Sequence, residues 1–153
     1  MIVQLLIMSY VILVPRGQDE LLRCAILTFG INSGAYVAEI IRSGIQSVDV
    51  GQMEAGRSLG FNYGQTMRCI IIPQAIKNIL PALGNELITL VKETSVATVV
   101  GLNDLTKGAQ IIVSKHYTTM VSYISLAAIY LVIVLVLTKL LGMFERRLKN
   151  SDR

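Results

Sequence analysis

The chain has 153 residues, of which 53% are hydrophobic and 16% charged, and its formal net charge is +4. A soluble domain of this length usually has about 25% charged residues, so the low charge and a mean hydropathy of +0.60 favour a membrane protein. The basic residues are divided among loops and the C-terminal tail, which argues against a nucleic-acid-binding surface.

Apolar segments predict four membrane spans in an all-α, polytopic helix bundle. A spanning helix needs about 20 mostly apolar residues, and residues 22–41, 79–100 and 117–141 meet that length. Residues 1–14 are too short to cross alone, and we interpret them as the end of a helix whose beginning is missing. The whole chain, 1–153, is therefore expected to form a single, N-terminally truncated domain.

Residues 42–78 form a polar, basic loop between the second and third spans. Asp49 with Gln52, and Asn62 with Gln65, have the spacing of capping boxes, in which two residues exchange side-chain to backbone hydrogen bonds. Each pair therefore predicts the start of a short helix within the loop.

The two short helices are expected to be joined by a tight turn. Gly60 stands where a left-handed C-terminal cap is needed after the first helix. The second helix should stop or bend before Pro73, because proline disfavours helical geometry in the residue that precedes it. The prediction is a helix–turn–helix projection; the alternative is a solvated amphipathic loop.

Polar side chains recur at helical spacing in two spans, where they favour a hydrated path or ion pairs inside the bundle. An acidic side chain there would suit a positively charged group of a substrate, and a basic one a negatively charged group. The alternative is hydrogen bonding between helices, which is at least as good an interpretation for Ser33, Thr89, Thr94 and Ser95. The candidate pathway residues are Asn32, Tyr36, Glu39, Glu86, Lys92 and Glu93.

Lysine and arginine are distributed unevenly among the segments between the spans. Residues 42–77 contain four and the tail from Lys139 contains five, whereas residues 15–23 and 101–116 contain two each. Because basic residues concentrate on the cytoplasmic side, the loop 42–78 and the C-terminal tail are predicted to be cytoplasmic.

Sites for covalent chemistry or metals are not expected in this chain. Cys24 and Cys69 fall on opposite halves of the membrane, and His116 stands alone without a zinc-type cluster. A glycine-rich phosphate loop is also missing, so ATP must be bound by another chain. No catalytic residue, metal site or cofactor of its own is predicted.

The loop resembles the EAA loop of permease subunits of ATP-binding-cassette importers. The run EAGRSLGFNYGQTMRCIIIPQAIKNILP, residues 54–81, has the spacing of that loop, and residues 32–39, 51–54 and 84–95 resemble the branch for polar amino acids. The resemblance implies a type I permease-like fold whose cytoplasmic loop docks on an ATPase subunit. The implied coupling residues are Glu54, Ala55, Gly56, Leu59, Gly60 and Pro73.

The same resemblance implies an importer subunit for polar amino acids in the bacterial cytoplasmic membrane. Its implied partners are a second permease subunit, ATPase subunits that bind ATP and magnesium, an external solute-binding protein and membrane lipid. A non-transporting scaffold or remnant subunit that still binds an ATPase is the alternative.

This chain departs from the family pattern at position 56, where relatives usually have alanine. Glycine inside a helix costs about 1 kcal/mol relative to alanine. On propensity alone, Gly56→Ala is expected to be neutral or mildly stabilising.

The first testable prediction concerns topology. Cys69 should be cytoplasmic, because it lies in the basic loop, and residues 103–115 should be external. A membrane-impermeant thiol reagent should therefore leave Cys69 unlabelled in intact cells and label it in inverted vesicles. Ready labelling from outside would contradict this orientation.

Overall fold

The computed structural model describes residues 1–150, with side chains up to Arg146. The side chains of Arg147 and Lys149, and the whole of Arg153, which the topology count includes, lie outside the described residues. All regular structure within residues 1–150 is helical. The α-helices are α1 Ile2–Ile7, α2 Gln18–Gln46, α3 Val50–Ser58, α4 Tyr63–Thr66, α5 Ile72–Glu93, α6 Leu105–His116 and α7 Thr119–Asn150.

The chain divides into two compact units. The first comprises Met1–Gly34 and Leu87–Lys139, and the second comprises Ala35–Glu86 and the residues from Leu140 onward. The first unit has a small apolar core of Leu5, Leu21, Ala25 and Val100. In the second, a buried apolar row follows α5 and the turn before it, consisting of Ile71, Ala75 and Ile79.

Two helices in the described part of the chain are long and apolar enough to cross a membrane. They are Gln18–Gln46 and Thr119–Arg146, and only a small share of each is buried within the protein. They contain most of the predicted spans 22–41 and 117–141. The last helix begins at Thr119 rather than at residue 117, because Tyr117 adopts a left-handed conformation, with φ 55°, that ends α6.

The third predicted span, residues 79–100, is not one α-helix. Its helix α5 begins earlier, at Ile72, and ends at Glu93, after which Thr94–Val100 forms a 3₁₀ helix. It is not among the helices that are apolar enough to cross. Its charged residues are Lys77, Glu86, Lys92 and Glu93. Helix α5 therefore overlaps both the predicted span 79–100 and the end of the predicted loop 42–78.

The N-terminal segment is helical but irregular. After α1, Met8–Ile12 forms a π turn, which places Ser9 in a buried position where its Oγ lies 3.4 Å from Cys24 Sγ. Gln18 then connects the start of α2 to a later turn: its Nε2 donates to the Gly101 carbonyl at 3.2 Å, and its Oε1 accepts from Asn103 N at 3.3 Å.

Close helix packing in the second unit depends on a glycine in α2. A Cβ built on buried Gly44 would lie 2.2 Å from Ile79 Cγ1, much closer than atoms can approach. Small residues let helix backbones approach closely in this way. The end of α2 is therefore held directly against α5, next to the predicted coupling loop.

Candidate functional site

Helix α3 begins at the residue that the sequence predicts, but with a different hydrogen-bond pattern. Asp49 is its N-cap, and its Oδ1 accepts from Gly51 N at 2.6 Å. The predicted reciprocal bond, in which the Gln52 side chain accepts from Asp49 N, is wrong. Gln52 Oε1 accepts from Gln74 Nε2 at 3.3 Å instead. A single cap therefore starts this helix, and Gln52 contacts α5.

The end of α3 is a Schellman motif centred on Gly60. Gly60 has φ +88°, and its N–H donates to the Arg57 carbonyl at 3.0 Å. The Phe61 N–H donates to the Gly56 carbonyl at 3.2 Å. These two bonds pair carbonyl groups that would otherwise have no hydrogen-bond partner at the end of the helix. The left-handed conformation at position 60 favours glycine, which has no Cβ. The predicted left-handed cap is confirmed.

Helix α4 begins with the predicted capping box. Gln65 N donates to Asn62 Oδ1 at 2.9 Å, and Asn62 N donates to Gln65 Oε1 at 3.0 Å. Thr66 Oγ1 donates to the Asn62 carbonyl at 3.0 Å. The turn between α3 and α4 is thus capped on both sides, which gives the loop a defined shape.

Of the predicted stop or bend before Pro73, the stop is wrong, since the helical run continues from α4 into α5. The run is irregular there: a π turn, Met67–Ile71, ends two residues before Pro73, and Ile72 N closes it by donating to the Met67 carbonyl. Pro73 is the second residue of α5, where its fixed φ and missing N–H are tolerated. The irregularity near proline is therefore a widened turn within a continuous run.

Gly56 of α3 packs closely against Thr66, the last residue of α4. Gly56 is buried, and Thr66 has no exposed surface. A Cβ on Gly56 would lie 2.5 Å from Thr66 Cγ2 and 3.1 Å from Ile70 Cδ1. Threonine is branched at Cβ and its hydroxyl is already bonded, so it has little freedom to move aside. The geometry contradicts the expectation that Gly56→Ala is neutral or stabilising.

The outer surface of the projection combines apolar and charged side chains. Val50 is 73% exposed, Leu59 is 76% exposed and Tyr63 is 63% exposed. Glu54 and Ala55 are also exposed, on the helix that carries Val50. Exposed apolar side chains beside a carboxylate on a fixed helix favour docking on another protein. Of the six predicted coupling residues, Gly56 instead packs inside the loop.

The candidate pathway residues are distributed over both units. Asn32, Lys92 and Glu93 belong to the first, and Tyr36, Glu39 and Glu86 to the second. The structure gives Glu39 a local partner, because Arg42 Nε donates to Glu39 Oε2 at 2.9 Å and Arg42 Nη1 donates to Gln46 Oε1 at 2.8 Å. Glu39 and Arg42 are both largely exposed, and the ion pair between them compensates much of the charge of each side chain.

Family comparison agrees with this architecture. The family described as "Binding-protein-dependent transport system inner membrane component" matches residues 1–150. The chain belongs to this family. Its all-helical architecture and its EAA-type loop are therefore those of an inner-membrane transport component.

Individual relatives in the family are amino acid permeases by name. The arginine transport system permease protein ArtQ of Bacillus subtilis (strain 168) is 45% identical over 84% of this chain and 58% of its own length. The glutamine transport system permease protein GlnP of Escherichia coli (strain K12) is 41% identical over 82% of this chain and 57% of its own. The chain thus spans just over half the length of these relatives.

A solved structure shows the same fold. A crystal structure described as an amino acid ABC transporter with histidines matches this chain with a TM-score of 0.88 at 50% sequence identity. The match covers 95% of this chain and 68% of the other. Because the sequence identity is 50%, the similarity supports membership of a common family as well as a common helical fold.

The second testable prediction concerns the packing of Gly56. Gly56→Ala should lower stability by about 1–3 kcal/mol, since an added methyl group in a packed site forces its neighbours to shift. Thr66→Ser removes the methyl group at 2.5 Å but keeps the hydroxyl, whose Oγ1 would lie 3.0 Å from the new Cβ, so Gly56→Ala/Thr66→Ser should recover part of the loss. Thermal unfolding in detergent measures both. A Gly56→Ala protein as stable as the parent would contradict this prediction, because it would show that the Thr66 side chain can move aside.

Proposed function

We propose that this chain is a transmembrane subunit of an ATP-driven importer for polar amino acids in the bacterial cytoplasmic membrane. The observation that carries the proposal is the doubly capped projection from Asp49 to Ile71, which presents Glu54 and Leu59 outward. Membership of a family of inner-membrane transport components supports it. Relatives named for arginine, glutamine and nopaline transport support amino acids as the substrate class.

In this proposal the projection is the docking element for a separate ATPase subunit. That partner binds ATP and magnesium, and this chain carries no nucleotide chemistry. Closure of the ATPase pair pulls on α3, and the helices of two permease subunits then rock to expose the substrate path alternately to each side. An external solute-binding protein delivers the amino acid, and lipid surrounds α2 and α7.

The rigidity of the projection matters for this mechanism. A flexible loop would absorb a displacement, whereas α3 is fixed at one end by Asp49 and at the other by the Gly60 turn. Glu54 offers a carboxylate to an arginine or lysine of the partner, and Leu59 offers apolar surface. Binding through a rigid helix loses little conformational entropy, which favours efficient transmission of the stroke.

The third testable prediction concerns docking. Gly60→Val should abolish uptake, because a side chain in the left-handed conformation costs about 1 kcal/mol or more, and a β-branched one costs more still. Glu54→Lys should act similarly by reversing charge at the surface. Both variants should insert normally, yet co-purify poorly with the ATPase and show no substrate-stimulated hydrolysis.

Two controls sharpen that test. Gly64→Ala changes another loop glycine, but its Cβ would meet only Asn62 Oδ1, at an ordinary 3.6 Å. Gly60→Asn should be milder than valine, since asparagine tolerates the left-handed region. Intact association and stimulated hydrolysis in both Gly60→Val and Glu54→Lys would overturn the proposal, whereas normal association of the parent without uptake would favour the scaffold alternative.

The fourth testable prediction concerns the pathway. We propose that at least one of Lys92 and Glu39 affects substrate affinity or gating, as a charged residue of a helix in a membrane protein. Lys92→Met, Glu39→Gln or both should therefore change the uptake KM or the coupling to ATP hydrolysis. Arg42→Gln is the control, because it breaks the same ion pair as Glu39→Gln. If Arg42→Gln reproduces the Glu39→Gln effect, the ion pair rather than the substrate explains it; normal kinetics in Lys92→Met and Glu39→Gln would exclude a pathway role for both.

A further inference from the structure

Two side-chain amides of α5 bridge to the segment that enters the coupling helix. Asn78 Nδ2 donates to Ser47 Oγ at 2.8 Å, just after the end of α2. Gln74 Nε2 donates to Gln52 Oε1 at 3.3 Å, within α3. Residues 74 and 78 are four apart and therefore lie on one face of α5. The two bridges hold both sides of the corner between α2 and α3.

Apolar packing follows the same side of α5. Ala75 and Ile79 are buried beside the two amides, and Ile79 packs directly against Gly44. Polar and apolar contacts thus both connect the corner to the first two turns of α5. Because close-packed side chains move together rather than deform independently, this corner and the start of α5 form one mechanical element.

We propose that Gln74 and Asn78 are positioning residues that transmit the displacement of α3 to α5. This inference rests on the proposed function, in which an ATPase acts on α3. The amide bridges, Gln74 to Gln52 and Asn78 to Ser47, keep the coupling helix and the start of α5 moving as one body. Without them the docked helix tilts while α5 lags behind, and hydrolysis proceeds with less transport.

The bonding of the bridge residues indicates that removing the bridges leaves the fold intact. Gln74 Nε2 also donates to the Ile70 carbonyl at 3.0 Å, and Ser47 Oγ donates to the Gly44 carbonyl at 2.7 Å. The bridges are solvent-exposed, so water can replace the bond that each one loses. Their loss should therefore affect coupling more than folding.

The fifth testable prediction compares Gln52→Met, Gln74→Met and Asn78→Ala in the complete importer, reconstituted with its ATPase and binding protein. Association with the ATPase and the rate of ATP hydrolysis should stay near the parent values in Gln74→Met and Asn78→Ala, because neither change alters α3; Gln52→Met, which replaces an exposed residue of α3, is compared with them for the loss of the bridge. Amino acid imported per ATP hydrolysed should fall by about fivefold for each bridge lost, the equilibrium value of one typical net hydrogen bond. Gln52→Met and Gln74→Met remove opposite halves of one bridge, and Gln74→Met also removes the bond to the Ile70 carbonyl, so the double variant should be no worse than Gln74→Met alone.

Ile76→Ala is the matched control, since it shortens an exposed α5 side chain between the two bridge residues. It should leave transport per ATP unchanged. A parent-like ratio in both Gln74→Met and Asn78→Ala would overturn the inference. So would selective loss of ATPase association in these variants, which would make the bridges part of docking rather than of transmission.

A cross-linking experiment tests the same inference independently. Gln52→Cys/Gln74→Cys, made in a Cys69→Ser background, can be joined by a short bifunctional thiol reagent. If the two helices move as one body, the joined protein should keep its uptake, and it should exceed the unjoined double variant in amino acid imported per ATP. Uptake blocked by the cross-link, with ATPase association retained, would show that the helices separate during the cycle. That result would reject the single-body inference without affecting the docking proposal, which the Glu54 and Gly60 variants decide.

Discussion

The contact between Gly56 and Thr66 is the constraint on which the shape of the cytoplasmic loop depends. Helices as short as α3 and α4 are not stable alone, so they need tertiary contacts to persist. Thr66 is completely buried and its hydroxyl is bonded to the Asn62 carbonyl, which leaves its methyl group against Gly56. The capping bonds fix where each helix begins and ends; this contact fixes how closely they lie.

A second constraint is the satisfaction of polar groups in apolar helices. An unpaired polar group is costly where water is excluded. Several hydroxyls solve this by donating to a carbonyl three or four residues earlier in the chain: buried Thr28 donates to the Cys24 carbonyl at 2.8 Å, and Ser95, in the 3₁₀ helix after α5, donates to the Lys92 carbonyl at 2.7 Å. Thr94 likewise donates to the Val91 carbonyl. For Thr94 and Ser95, which hydrogen bonding between helices could also explain, the observed bonds are therefore local.

Features set by neighbouring residues were the ones predictable from sequence. The Asn62–Gln65 box and the Gly60 turn involve bonds across three to five residues, so spacing alone identifies them. Gln52 has the same spacing from Asp49, but its partner is 22 residues away, where capping rules carry no information. The packing against Gly56 is equally non-local, so helix propensity gave the wrong sign for alanine. The spans at α2 and α7 were predictable because apolar length is itself the signal.

The π turn Met67–Ile71 determines how this segment responds to the deletion of a residue. A π turn contains one residue more than an α-helix needs, and each residue turns an α-helix by about 100°. The widened turn accommodates that extra residue, so deleting one residue between 67 and 71 would leave an unbroken α-helix from α4 into α5 with nearly the same orientation of its two ends. Thr66 would stay against Gly56. In an ordinary α-helical turn the same deletion would rotate the two ends by about 100° relative to each other, so this segment tolerates the loss of one residue better than the regular helices around it.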